Sequence, residues 1–193
     1  MGGRWAGRSL VSPAGRVRPT AEPVREAVMQ MIATDLAGAR VLDLFAGSGA
    51  LGLEAMSRGA RYCDFVENGP AALHSLKANV AALRAREKCR VYDRDAIPFV
   101  ERLEAGRYDI ALVDPPYGSR KLDRVLAYWR RFPFSGVLVL EHAVDHAGLD
   151  AAGERRVMGD TAITVLRQNR SGPSESGVSG TPAAAAHHGK DTQ

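Results

Sequence analysis

Short apolar runs alternate with amphipathic stretches from about residue 20 to residue 167, and the alternation predicts strands and helices in turn. Arg40–Leu44, Arg61–Val66, Cys89–Tyr92, Tyr108–Val113 and Gly136–Leu140 are short, mostly apolar runs of strand length. Between them lie Gly49–Ser57, Pro70–Leu83, Ile97–Leu103 and Lys121–Arg131, read as helices; in the second of these Leu73, Leu76, Val80 and Leu83 share one face. An earlier helix starts after Thr20, whose hydroxyl suits a first-turn cap. Pro23 is tolerated there because first-turn amides have no intrahelical partner, and Val24, Val28, Met31 and Ile32 recur at helical spacing. Arg155–Met158 and Ala162–Leu166 flank Gly159-Asp160 as a closing hairpin. The reading is an α/β domain: a mostly parallel seven-stranded sheet with a C-terminal antiparallel hairpin and helices on both faces.

Residues 1–18 form a basic arm or strand, 19–170 the domain, and 171–193 a tail of Ser, Gly, Pro and Ala. The tail is too poor in large apolar residues to offset the entropy of ordering and is expected to be disordered, with His187 and His188 solvated. Composition fits an ordinary globular chain, 193 residues with 45% hydrophobic and 25% charged. Cys63 and Cys89 lie in apolar stretches and read as reduced core residues, and the His and Cys residues show no metal-ligand spacing. The absence of an apolar run of about 20 residues, or of a signal-peptide pattern at the start, leads to the expectation of a cytoplasmic monomer with no membrane partner.

Charge narrows the partner class. Of the 26 Lys and Arg residues 22 are Arg, the side chain whose planar fork suits phosphate, and the formal net charge is +4. Arg4, Arg8, Arg16 and Arg18 precede any acidic residue, and a second cluster holds Arg120, Lys121, Arg124, Arg130 and Arg131. Nucleic acid is the partner these clusters suit, with Arg4, Arg8, Arg16, Arg18, Arg120 and Lys121 as candidate contacts.

In a parallel sheet the ligand lies beyond the carboxyl ends of the strands. Here those ends carry Asp43, Gly47 to Gly49, Glu67, Asp95 and Asp114 to Tyr117. Gly47-Ser48-Gly49-Ala50-Leu51-Gly52 fits a dinucleotide fingerprint, with Glu67 at the offset of a ribose-binding acid. Asp43, four positions before the first glycine, discriminates: a carboxylate repels a pyrophosphate and favours a ligand bearing ammonium and sulfonium groups, such as S-adenosylmethionine. In that reading Glu67 accepts the ribose hydroxyls and Asp95 meets the adenine amino group.

Asp114-Pro115-Pro116-Tyr117, directly after an apolar strand, is the most specific motif in the chain. Two prolines fix the backbone and withhold donors, so the Pro115 carbonyl and the Asp114 carboxylate can both accept from one planar exocyclic amine. Held so, the amine turns its lone pair toward an electrophilic methyl. Tyr117 offers a face to stack on an extruded base.

Arg18-Pro19-Thr20, Val24-Arg25-Glu26-Ala27, the stretch from Leu42 to Ala55, Val66-Glu67-Asn68, Asp114 to Tyr117 and Gly159-Asp160-Thr161 together resemble the RsmD-type bacterial 16S rRNA (guanine-N2)-methyltransferases. The resemblance implies a Rossmann-like class I S-adenosylmethionine-dependent fold and methylation of N2 of a loop guanine, position 966 in that family, in the small ribosomal subunit. It also implies that Thr20, Asp43, Phe45, Ala46, Gly47, Ser48, Gly49, Glu67 and Asp95 bind the cofactor, and that Asp114, Pro115, Pro116 and Tyr117 meet the target base. Where the family has Asp-Arg before Val-Arg-Glu, this chain has Glu22-Pro23, one arginine fewer. Amino-methylation of DNA adenine or cytosine, or of a protein glutamine, shares the Asp-Pro-Pro-Tyr chemistry. Both lack support elsewhere in the chain, which has no spare segment for DNA recognition and has Asp114 where glutamine methyltransferases typically carry Asn. A non-catalytic RNA-binding assembly factor is the alternative outside enzymes.

Overall fold

β1 (Arg40–Leu44) is the centre from which the chain winds in both directions. It pairs in parallel with β2 (Tyr62–Glu67) on one side and with β4 (Tyr108–Val113) on the other. β3 (Cys89–Asp93) extends the first side and β5 (Ser135–Ala143) the second, both in parallel. β7 (Thr161–Arg167) then runs antiparallel against β5, with β6 (Glu154–Met158) outside it, so the order is β3-β2-β1-β4-β5-β7-β6. This is a computed structural model that describes residues 1–13, 21–149 and 153–168. The tail of 171–193, and Arg16, Arg18 and Thr20 with it, lie outside the described residues.

The inner strands are mostly apolar because both sheet faces are covered, with Asp43 and Asp64 as buried exceptions. α1 (Glu22–Met31), α2 (Ala50–Ser57) and α3 (Pro70–Ala82) cover one face, where Val28, Ile32, Leu53, Met56, Phe65 and Leu76 are fully or almost fully buried. α4 (Ala96–Val100) and α5 (Lys121–Arg131) cover the other through Ile97, Val100, Val125 and Trp129, and the Trp129 indole donates to the Ser135 carbonyl at 2.9 Å. Truncating a ring as enclosed as Phe65 to Ala is worth about 3–5 kcal/mol. Cys63 and Cys89 are buried free thiols and register neighbours across β2 and β3. Among the described residues no helix is long and apolar enough to cross a membrane.

Three elements differ from their sequence reading. α1 begins at Glu22 with Ala21 at its N-cap and no side-chain hydrogen bond there, while Thr20 lies outside the described residues. α4 stops at Val100 instead of Leu103, with Pro98 confined to its first turn. β5 runs on past Leu140 through Glu141 and His142, polar residues that are nevertheless buried. His142 finds partners inside: Nδ1 lies 2.8 Å from the Ala143 carbonyl and Nε2 2.9 Å from Thr164 Oγ1. Burial holds the imidazole below its ordinary pKa, so it sits in the sheet as a neutral ring.

The described part of the N-terminal arm is a 3₁₀ turn, Gly3–Trp5, followed by extended chain, and contains no strand. It is lashed to α2 and α3. Gly2 donates to Glu54 Oε1 at 2.8 Å, Trp5 to Ser57 Oγ at 2.9 Å, and Val11 to Asn79 Oδ1 at 2.8 Å. Glu54, 1% exposed, is balanced by Arg58 Nε at 2.8 Å and Arg25 Nε at 3.4 Å.

Candidate active site

The chain switches from β1-β2-β3 to β4-β5 between β1 and β4, and the carboxyl ends of these strands are where the topology of a parallel sheet places ligands. Leaving β1, the chain turns at Phe45, a non-glycine residue at φ 60°, and again at Gly47 and Gly49, at φ 56° and 80°. A left-handed Phe costs about 1–3 kcal/mol, a strain that collects where a backbone must be aimed. An added Cβ at Gly47 would meet no atom within 4 Å, so the loop is open to a ligand there. At Gly52, one turn into α2, a Cβ would come within 2.9 Å of Asp43 Oδ2, so only glycine lets the helix approach the strand end.

That approach allows the Gly52 amide to donate to Asp43 Oδ2 at 2.9 Å. Asp43 is 2% exposed, and burial pushes its carboxyl well above the ordinary carboxylate range; the Gly52 hydrogen bond opposes this, and the charges of Asp114 and Glu67 add to it. The carboxylates at the ends of β2 and β4 thus act on the one at the end of β1. A cationic ligand relieves Asp43, whereas a pyrophosphate worsens its burial.

Glu67 spans the next gap. Its Oε2 accepts the Gly47 amide at 2.9 Å, and its Oε1 accepts the amides of Asn68 and Gly69 at 2.9 and 2.7 Å. The carboxylate therefore fixes the glycine loop against the end of β2. A carboxylate has about four acceptor positions, so capacity for a hydroxyl remains. Asp95 caps α4 by accepting the Ile97 amide at 2.9 Å, and Tyr92 and Phe99 meet with ring centroids 4.9 Å apart in the same region. Ser48 and Ala46 are buried in the loop, and the Ala46 amide is tied to the Val66 carbonyl at 3.1 Å.

Beyond β4, Asp114 is half-buried, Pro115 buried, and Pro116 and Tyr117 exposed. The Tyr117 hydroxyl lies 2.8 Å from Thr161 Oγ1, at the start of β7. Lys121, expected on RNA, has its Nζ 5.5 Å from the centre of the Phe45 ring, so it also closes the side of the cofactor turn. Arg120 is exposed at the cap of α5. Arg4, its guanidinium 4.1 Å over the Trp5 ring, and Arg8 are exposed on the arm, which packs on the α1-α2-α3 face. The two basic groups therefore stand on opposite faces of the sheet. Of the second cluster, Arg124 is engaged with Glu101 at 2.8 Å and Arg131 lies over Phe132.

Two roles had escaped the sequence reading. Asn79 is buried and binds the arm and the glycine loop at once, through Val11 and the Ser48 carbonyl; its signal was a polar side chain beside the Leu76-Val80 face of α3. Thr161, buried beside Tyr117, entered that reading only as the last residue of Gly159-Asp160-Thr161, with no role assigned. Among the described residues no group of three or more His, Cys, Asp or Glu could hold a metal ion.

Known proteins resemble this chain over most of its length. The family model described as conserved hypothetical protein 95 matches residues 1–166. The candidate rRNA methyltransferase YlbH of Bacillus subtilis is 38% identical over 149 residues, 74% of this chain and 80% of the relative. Ribosomal RNA small subunit methyltransferase D of Escherichia coli K12 is 38% identical over 127 residues, which span 65% of this chain and 63% of that protein. Among solved structures, the candidate methyltransferase YhhF of Escherichia coli superposes with a TM-score of 0.76 at 31% identity, covering 87% of this chain and 96% of that one. A hypothetical protein of Thermus thermophilus gives 0.73 at 32%, covering 86% and 97%.

Proposed function

Because this chain belongs to the conserved hypothetical protein 95 family of RsmD-type methyltransferases, we propose that it transfers a methyl group from S-adenosylmethionine to the exocyclic N2 of a guanine in 16S rRNA of the small ribosomal subunit. The observation that carries this reading is the meeting at the carboxyl ends of β1 and β4 of a strained glycine turn, a buried carboxylate in need of a cation, and Asp114-Pro115-Pro116-Tyr117. The relatives named as rRNA methyltransferases support the same substrate class.

The residues fit the cofactor. Asp43 and the carboxylates it feels suit its ammonium and sulfonium, the open turn at Gly47 admits close backbone approach, Glu67 suits the ribose, and Asp95 with the adjoining aromatic pair suits the adenine. When bound, S-adenosylmethionine supplies an electrophilic methyl on a sulfonium that departs as a neutral thioether. The protein's part is to aim the nucleophile.

Guanine N2 is a poor nucleophile because its lone pair is delocalised into the ring. In the proposed mechanism Asp114 and the Pro115 carbonyl accept its two hydrogens and rotate the lone pair out of conjugation, toward the methyl. The prolines have no amide hydrogen to compete for these acceptors. Once methylated, the nitrogen is acidic enough to give its proton to Asp114 or to water. Tyr117 stacks on the base, which must leave its neighbours first, at a cost of a few kcal/mol that is least in an unpaired loop.

The test is transfer of labelled methyl to unmodified small subunits, their extracted rRNA and duplex DNA, followed by nucleoside identification. N2-methylguanosine in the subunits is the expected product. No label in any of the three, with cofactor binding demonstrated, points instead to a protein substrate.

A further inference from the structure

Tyr117 is held from both sides of its loop. Pro115 and Pro116 precede it, and behind it the Ser119 amide and hydroxyl both donate to the Pro116 carbonyl, at 3.3 and 2.7 Å, across Gly118 at φ 74°. The side chain itself is 51% exposed, which is unusual for a tyrosine that has somewhere to pack. Its tip nevertheless meets Thr161 Oγ1 at 2.8 Å. Thr161 is 7% exposed and begins β7, where it is paired on both sides, with register partners Ala143 on β5 and Met158 on β6. The preceding residue is also fixed, since the Asp160 carbonyl accepts the Val144 amide at 2.9 Å. The hydroxyl of an exposed ring on β4's loop is thus tied to a rigid point two strands away.

In water an exposed tyrosine hydroxyl loses little without a protein partner, so the contact adds little to stability. Its effect is on direction. With the backbone restrained by the prolines and the hydroxyl by Thr161, the side-chain torsions of Tyr117 are restrained while about half of the residue stays exposed. We propose that Thr161 is a positioning residue that holds the Tyr117 ring as a preformed stacking platform for the target base. The inference rests on the assignment of Tyr117 to base stacking in the proposed function. A ring already ordered removes the entropy cost of fixing it when the base arrives and sets the angle at which the amine meets Asp114.

The decisive variant is Thr161→Val, which keeps the β-branch and removes the hydroxyl. With small subunits as substrate, kcat/KM falls by between about twofold and tenfold, while the Kd for S-adenosylmethionine stays within about twofold. Thr161→Ser retains wild-type turnover. Tyr117→Phe lowers kcat/KM at least as far as Thr161→Val, and the double variant falls no further than Tyr117→Phe, because either change already breaks the contact the two residues share. Wild-type turnover in Thr161→Val, or losses that multiply in the double variant, overturns the proposal. A measurement without RNA separates its failure from that of the functional reading: in protein labelled with 3-fluorotyrosine, the Tyr117 ¹⁹F resonance, assigned by its loss in Tyr117→Phe, moves in Thr161→Val. A resonance that stays in place overturns the tether. If it moves while the wild-type protein methylates no RNA, the contact stands and its role in base positioning is overturned together with the reading it rests on.

Discussion

Asn79 donates a hydrogen bond of 3.0 Å to the backbone carbonyl of Ser48, and through this bond α3 holds the glycine turn. The same carboxamide donates to the Val11 carbonyl at 2.9 Å and accepts the Val11 amide at 2.8 Å. One buried side chain therefore serves as the common support of the candidate cofactor loop and of the N-terminal arm.

Asn79→Ala leaves the carbonyl of buried Ser48 without this partner, at about 1–3 kcal/mol for an unsatisfied buried group, and frees the groups of the exposed Val11 to bond water instead. The expected outcome is a loss of that size in urea unfolding, accompanied by weaker S-adenosylmethionine binding and by faster proteolysis of the arm. Full stability with an intact arm would show that the groups find other partners and that Asn79 supports neither element.

Asp43 predicts a pH dependence. Burial raises its folded pKa above the ordinary value of 3.8, so the native state keeps a proton that the unfolded chain has released. Stability of the ligand-free protein from this group is thus present below the unfolded value and lost as pH rises through the folded one. Binding of a cation runs the other way, because it favours the ionised carboxylate. S-adenosylmethionine should bind more tightly with rising pH across that window, by up to tenfold per pH unit, and level off above it. Asp43→Asn keeps an acceptor for the Gly52 amide, flattens the profile and lowers affinity on the order of tenfold to hundredfold. Calorimetric titration at a series of pH values decides this, and an unchanged profile in the variant assigns the dependence elsewhere.

Most of the frame was legible because its signals are local. β1, β2 and β4 are apolar runs that need only be buried on both faces, and the prolines and glycines at their ends mark the rim without knowledge of what lies across it. What escaped depends on contacts distant in sequence. Val11 and Asn79 are 68 residues apart and Tyr117 and Thr161 are 44 apart, and neither pair has a periodicity to read. The end of β5 was hidden for a related reason: Glu141 and His142 look like loop residues until the hairpin closes over them and brings Thr164 to the imidazole. Glu67 reads from the sequence as a ligand-facing acid, but its hold on three backbone amides became visible only with the loop in place.

Asp114→Ala separates aim from affinity. In the proposed mechanism Asp114 accepts from the target amine, so turnover should fall by at least about a hundredfold, the scale of losing one oriented catalytic group. Cofactor affinity should remain within a few fold, because removing Asp114 only subtracts one of the charges acting on Asp43. Equilibrium binding beside single-turnover methyl transfer resolves the two. A collapse of cofactor binding would move Asp114 from the base side of the site to the cofactor side.

Arg4 and Arg8 provide the remaining test, on the face away from α5. Both are exposed on an arm secured by its own backbone bonds to Glu54, Ser57 and Asn79, so replacing them with Gln should leave the fold unaltered. If each guanidinium neutralises one phosphate, the double variant binds small subunits more weakly, and the slope of log Kd against log salt shrinks by about 1.5. Measuring binding between low and moderate salt distinguishes this from mere solvation, in which case slope and affinity are those of the wild type. The same double change tests whether both faces of the sheet meet the substrate: with Arg120→Gln and Lys121→Gln added, two independent contact regions give additive reductions in slope, whereas a single region around α5 gives a reduction only from the second pair.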